Sequence, residues 1–211
     1  GRGAEEYALH VKGLELPMHE PRWKQALSLA YAVNVVGAEH NAAVHDTAYE
    51  KEGASLDFVR AMGVLEPMPA GELSPRKARL HTYVAIARSV NNSLVLCQFV
   101  PYTVEHLAEI VRGVTGWNST AYEVLKVGER NYTLARLFNL REGLGVTTDC
   151  LPKRLYEPFA SGPLQGVGID AGAFEAAKRA HYEMMGWDEA GVPTPGRLAE
   201  LDIEWAATAG R

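Results

Sequence analysis

No glycine or proline stands between Pro75 and Pro101. Ser74-Pro75 opens that run as a helix start, because the fixed φ of proline suits the first helical position, where its missing N–H costs nothing. The run predicts a long helix from Ser74 to about Asn91, carrying Ala78, Val84, Ala85 and Ala87. Two asparagines, Asn91 and Asn92, then precede a short apolar burst, Leu94-Val95-Leu96, and Cys97. A helix that stops here exposes carbonyls that need partners, and the asparagine amides can supply local hydrogen bonds. Read from its neighbours alone, Cys97 is a small buried hydrophobe, the commonest fate of a free cysteine.

The other segments agree with a helical chain. Leu27, Ala30, Tyr31 and Asn34 recur at helical spacing from Trp23 and predict a helix ending at Gly37. A short helical stretch follows through Val44 and Tyr49, and Phe58, Val59 and Met62 make one apolar turn. Thr103 opens a helix to Gly113, with Glu105 near its positive end. Thr120 with Glu123 is a capping box for a helix through Val124, Leu134 and Phe138 to about Leu140. Asp170 caps a last clear helix through Phe174, Ala177 and Tyr182 to Gly186, and a short turn spans Leu198 to Ile203. Only Tyr7 to Leu16 alternates as strands do, broken at Gly13. The expectation is a mainly α, multihelical domain over 1–211, with at most a short strand pair near the N-terminus. Gly143 to Gly168 is rich in glycine and proline and reads as a long ordered loop with about one turn of helix, the kind that gathers at functional surfaces.

Composition excludes several classes. A chain of 211 residues, 47% hydrophobic with net charge −5, can bury a core and has no basic cluster for nucleic acid. No apolar run approaches the roughly 20 residues of a membrane span. Two cysteines, Cys97 and Cys150, make no disulfide framework, and a reducing cytoplasm is the simplest setting. Position 1 is glycine, which fits a piece of a longer chain.

No motif here carries chemistry by itself. Gly166-Val-Gly168-Ile-Asp-Ala171 imitates a dinucleotide loop, but it follows prolines rather than a buried strand, so it reads as a turn before the Asp170 cap. His40 and His45 are five residues apart, which on a helix puts them on different faces and argues against a shared metal. His10, His19, His81, His106 and His181 are scattered and read as surface or partly buried side chains. Asp149-Cys150 reads as a turn with a polar start. The carboxylate beside the thiol works against forming the thiolate, so Cys150 is a poor nucleophile.

Several stretches taken together carry a resemblance. They are His10-Val-Lys-Gly-Leu-Glu-Leu-Pro17 with Glu20-Pro-Arg22, then Leu29-Ala-Tyr-Ala-Val-Asn34 leading to Gly37-Ala-Glu-His40. Asn92-Ser-Leu-Val-Leu-Cys97-Gln-Phe99, Gly128-Glu-Arg130, Arg136-Leu-Phe-Asn139 and Arg141-Glu-Gly143 follow. Leu151-Pro-Lys-Arg154, Gly162-Pro163, Gly186-Trp-Asp188 and Gly191-Val-Pro193 complete the set. In order and spacing they resemble the C-terminal domain of the tungsten-dependent aldehyde:ferredoxin oxidoreductase family, along the whole chain. No one motif is specific; their order is.

The resemblance implies a tungsten or molybdenum atom held by two pterin dithiolenes beside a 4Fe-4S cluster. Three cluster cysteines come from an earlier domain, absent here along with the pterin-binding β domain. The fourth comes from an Asp-x-x-Gly-Leu-Cys stretch that Asn92 to Cys97 matches, which makes Cys97 a cluster ligand and Asn92, Leu96 and Cys97 cofactor-binding. Asn92 stands for the family's aspartate and keeps an acceptor without the charge. Val95 stands for its glycine, where the family backbone has freedom that a β-branched residue lacks. His40 falls where the family places a histidine near the metal, able to bond a substrate oxygen or move a proton. The implied activity is oxidation of aldehydes to carboxylates with electron transfer to ferredoxin. The partners are the N-terminal domains of the same enzyme, ferredoxin and the aldehyde, and a homo-oligomer is compatible. No cluster is expected in the isolated chain. The alternatives are a relative of the aryl-CoA reductase type and a cofactor-free helical interaction module. A cofactor-facing domain should bring His40 and Cys97 onto one concave surface, apolar near Leu94 and Leu96 and bordered by the Gly143–Pro152 loop.

Overall fold

The computed structural model describes residues 2–207. The chain opens with a 3-10 turn at Ala4–Glu6 and a two-residue hairpin, β1 (His10–Val11) and β2 (Leu14–Glu15). The strands are antiparallel, with His10 opposite Glu15 and Val11 opposite Leu14. The two turn residues, Lys12 and Gly13, both have positive φ (51° and 83°), as a tight hairpin with right-twisted strands requires. The helices follow: α1 (Gln25–Val33), α2 (Ala54–Arg60), α3 (Pro75–Ser93), α4 (Val104–Thr115), α5 (Ala121–Arg141), α6 (Ala171–Met185) and α7 (Pro195–Glu200). The fold is mainly helical with one short strand pair, as the sequence pattern implies. Among the described residues no helix is long and apolar enough to cross a membrane.

The central element is α3, which packs against α5, α6 and α1. Its buried residues include Ala78, Leu80, Val84, Ala85, Ile86 and Val90, too many for one face; a helix apolar around most of its circumference belongs in a core. On one side of it Leu27, Tyr31, Leu56, Val59, Leu80 and Phe174 form one cluster. On the other, Leu29, Ile86, Tyr132, Tyr182, Met185 and Trp187 form a second. Gly128 sets the approach of α5 to α3: a β-carbon there would lie 2.3 Å from the carbonyl oxygen of Ile86.

Caps define most helix starts. Ser74, Thr103, Thr120, Asp170 and Thr194 each accept a hydrogen bond from a backbone N–H of the first turn. The start of α1 differs. Lys24 precedes it and makes no side-chain cap. Instead Asp46, from a later loop, accepts the N–H groups of Ala26 and Leu27, both at 3.1 Å.

Three expectations are corrected. The first helix ends at Val33, not Gly37, because Asn34 is extended and the chain turns away. Gly37, at φ 102°, passes so close to the hairpin that a β-carbon would meet the Val11 oxygen at 2.2 Å. The apolar turn at Phe58 is part of a true helix, α2, and the stretch through Tyr49 is a 3-10 turn, Asp46–Tyr49. From 143 to 168 the chain is irregular, with one 3-10 turn at Lys153–Leu155, as its glycines and prolines imply.

Candidate functional site

The site is built at the C-terminal end of α3. There the amide hydrogens of Val95 and Leu96 bond the carbonyls of Asn92 (3.2 Å) and Asn91 (2.9 Å). These backbone bonds, rather than asparagine side chains, satisfy the helix end. The motif needs a left-handed residue just past the helix, normally glycine. Val95 occupies that position at φ 56°. The backbone shape that glycine would provide is therefore kept by valine, against the steric preference of a β-branched side chain. This turn throws the next residues outward: Val95 is 91% and Phe99 92% exposed, and Cys97 is an exposed free thiol. The sequence-based reading of Cys97 as a buried hydrophobe is thus corrected. Arg88 fixes the far side of the loop by donating to the Gln98 carbonyl at 3.0 Å.

A cleft of about 320 Å³ lies beside this turn, between the loop after α1, α3 and α5. Its polar lining comes from Asn34, Glu39, Asn41, Ser89, Asn92, Gln98 and Asn131. Asn131 donates to Ser89 Oγ at 2.8 Å, and Gln98 Nε2 donates to Asn92 Oδ1 at 3.4 Å. Among the described residues Gln98 Oε1 is buried without a partner, an acceptor that costs free energy until something donates to it. The wall from Val33 to Val36 is pinned from α5, where Tyr132 donates to the Val33 carbonyl (3.2 Å) and Asn139 to that of Val35 (2.7 Å).

The predicted residues are distributed as follows. Asn92 lines the cleft. Glu39 and Asn41, which flank His40, line it too, as does Gln98 next to Cys97, but neither His40 nor Cys97 itself lines the cleft, so the expectation that the two open onto one concave surface is not met there. Leu96 packs instead with Leu94 against Val90, Leu107, Ala108 and Val124, and both leucines line a separate apolar groove of about 380 Å³ between α4 and α5. The Gly143–Pro152 loop contributes nothing to the cleft. Its residues Thr147, Thr148, Cys150, Leu151 and Pro152 line another depression with the N-terminal hairpin, so the expectation that it borders the cleft is corrected. The reason is Asp149, whose buried carboxylate binds Lys12 (2.7 Å) and Arg136 (2.7 Å) and accepts from Tyr182. These bonds fasten the loop to the hairpin, α5 and α6.

His40 belongs to a cluster that sequence spacing hid. Residues 38–45 are not helical, so the facing argument against His40 and His45 does not apply. Their ring centroids are 6.2 Å apart, and His19 packs against both, at 5.1 and 4.7 Å. Among the described residues no group of three or more His, Cys, Asp or Glu is arranged to hold a metal ion, so this is a packed cluster of rings rather than a metal centre. Burial and the Lys24 ammonium push His45 down to about 4, against the opposing pull of its bond to the His40 carbonyl. Burial, Lys24 and His40 also lower His19.

In class the protein is a multihelical domain with a polar cleft and an exposed thiol at the end of its central helix. Residues 1–203 match the family model described as "Aldehyde ferredoxin oxidoreductase, domains 2 & 3", and the chain belongs to the aldehyde ferredoxin oxidoreductase family. It is 29% identical over 205 residues to the tungsten-containing aldehyde ferredoxin oxidoreductase of Pyrococcus furiosus, covering 95% of this chain and 32% of that one. It is also 28% identical over 212 residues to an aliphatic sulfonate oxidoreductase, WOR-like subunit, of the same organism, covering 96% and 29%. Among solved structures it resembles the active-site complex BamBC of benzoyl-coenzyme A reductase, with a TM-score of 0.71 at 17% identity, over 98% of this chain and 34% of that one; this last likeness is one of fold. The chain spans about a third of the length of these relatives.

Proposed function

We propose that this chain is the C-terminal helical domain of a tungsten or molybdenum bis-pterin oxidoreductase, and that the complete protein oxidises aldehydes to carboxylates and passes the electrons through a 4Fe-4S cluster to ferredoxin. The observation that carries the reading is the left-handed turn at Val95, which holds a glycine-type backbone and sets the Cys97 thiol outward beside an amide-lined cleft. Four archaeal relatives named as tungsten-containing aldehyde ferredoxin oxidoreductases support the substrate class.

The residues present fit the cofactors. A pterin edge offers both donors and acceptors, and the amides of Asn92 and Gln98 supply both in return. The unpartnered Gln98 Oε1 is an acceptor suited to a pterin amino group. Cys97, exposed beside the cleft-lining Gln98, would supply a thiolate to iron, with the remaining cysteines coming from the domain before this one. When bound, the metal–pterin group supplies the two-electron oxidation and the cluster the one-electron relay. Aldehyde and water give carboxylic acid, two protons and two electrons, so the site needs a proton acceptor. His40, which packs against His19 and His45 while its neighbours line the cleft, would take that proton at an imidazole nitrogen. Val95 and Phe99, open to solvent here, would be covered by the N-terminal domains of the same enzyme, as exposed apolar side chains at an interface are. The two free cysteines accord with a reducing cytoplasm.

The test is to purify the complete protein from cells supplied with tungstate and molybdate. Iron with one of the two metals, and aldehyde-dependent reduction of ferredoxin, are expected. A folded, metal-free protein inert toward aldehydes would overturn the reading.

A further inference from the structure

The histidine cluster contains one ring whose tautomer the geometry fixes. His45 Nε2 lies 3.1 Å from the backbone carbonyl oxygen of His40, and His45 Nδ1 lies 3.4 Å from Lys24 Nζ. A carbonyl can only accept, so Nε2 carries the hydrogen. An ammonium can only donate, so Nδ1 is a bare lone pair. Both ring nitrogens are thereby committed, and a second proton would have to sit against the Lys24 charge.

We infer that His45 is a positioning residue, held as the neutral Nε2–H imidazole by Lys24, that helps fix the backbone of His40 and so the place of the His40 ring, which packs against His19 and His45 while its neighbours Glu39 and Asn41 line the cleft. The inference rests on the proposed role of His40 for its purpose, while the Lys24–His45–His40 chain stands on its own geometry. Three further observations support it. First, the segment that carries His40 is irregular, so it has no helical ladder to hold it. Its local bonds are those of the Glu39 carboxylate to the N–H groups of Asn41 (2.5 Å) and Ala42 (2.7 Å), of the Glu39 N–H to the Gly37 carbonyl (2.7 Å), and a long one from the Ala43 N–H to the His40 carbonyl (3.3 Å), which the shorter His45 bond reinforces. Second, His45 itself is well anchored, because the next residue, Asp46, is fully buried and bound to the start of α1 and to Lys77. Third, no anion among the described residues is shown favouring protonation of the ring: the adjacent Asp46 carboxylate is taken up by Lys77 and the Ala26 and Leu27 amides. Lys24, His19 and His40 act on it, while Glu20, the chain neighbour of His19, is engaged by Arg22 at 2.9 Å.

The test uses the complete protein with histidine labelled by ¹⁵N. Across pH 5–8 the His45 signals should stay those of a neutral Nε2–H ring, and Lys24→Met should let the same ring take up a proton within that range. An Nδ1–H tautomer, a wild-type His45 that titrates near pH 6.5, or a Lys24→Met protein with no change would overturn the inference. In the metal-loaded enzyme, His45→Leu should lower kcat for aldehyde oxidation by about 100-fold, the scale of a misplaced catalytic group, with KM little changed. His45→Gln, which can set an amide N–H near the Nε2 position, should restore most of it. Equal loss in both variants would show a merely structural ring. The labelled spectra do not require bound metal, so a protein without cofactors would sink the proposed function and leave this assignment standing, and the reverse result would be equally distinct.

Discussion

Asp46 and Lys77 form an ion pair with both side chains at 0% exposure. The carboxylate also receives the Ala26 and Leu27 amides at the start of α1, placing negative charge where the helix dipole favours it. One buried anion therefore joins α1, α3 and the loop that ends in His45.

Removing the cation should be costly, because it strands a buried carboxylate. Lys77→Met is expected to destabilise the fold by about 3–5 kcal/mol, read as a shift in urea midpoint. Asp46→Asn added to it should recover part of the loss, since an amide still accepts from one backbone N–H without carrying charge. A Lys77→Met protein as stable as the parent would contradict this.

Val95 should be a strained residue. A left-handed conformation costs a non-glycine residue roughly 1–2 kcal/mol, whereas glycine gives back roughly 0.5–1 kcal/mol through its freer unfolded chain. The side chain is 91% exposed, so its loss removes little packing. Val95→Gly should therefore stabilise by about 0.5–1 kcal/mol, visible as a higher melting temperature. A lower one would mean that the turn is relaxed as it stands.

Two buried histidines should make the fold sensitive to acid. His81 and His181 lie 5.2 Å apart, and both are fully buried. His181 Nδ1 bonds the Thr82 hydroxyl at 2.8 Å, and the Tyr132, Tyr182 and Trp187 rings and the Arg136 charge surround it. Burial pushes His81 down to about 3, and burial, His81 and Arg136 hold His181 well below its usual range. The unfolded chain takes up protons near pH 6.5 that the folded chain refuses. Stability should therefore be fully present above pH 6.5 and fall as pH drops from there toward 3. The slope is about 1.4 kcal/mol per pH unit for each histidine. Chemical denaturation at a series of pH values gives the slope, and His81→Leu should reduce it by about half. A variant with the parent slope would remove His81 from the account.

The parts legible in the sequence are those set by neighbours along the chain. Ser74, Thr103, Thr120 and Asp170 each mark a helix start because a cap acts on the next three residues. Gly128 stands out within a motif, and the structure supplies its reason in the contact with Ile86. What was hidden depends on residues far apart. Asp46 caps a helix that begins before it. Asp149 looks like a turn residue beside a thiol, yet its carboxylate points into the core to Lys12 and Arg136. The rings of His19, His40 and His45 meet because an irregular loop folds back, which no periodicity records. The apolar neighbours of Cys97 suggest a core position, yet only Leu94 and Leu96 pack toward α4 and α5, while the thiol that follows the left-handed step at Val95 is exposed.

The central claim is that Cys97 ligates the cluster of the complete enzyme, and one comparison tests it most directly. Cys97→Ala and Cys150→Ala proteins, purified whole, are assayed for iron and for the visible absorbance of a 4Fe-4S centre. The account predicts a lost or damaged cluster in Cys97→Ala and a retained one in Cys150→Ala. An intact cluster in the Cys97→Ala protein would contradict it.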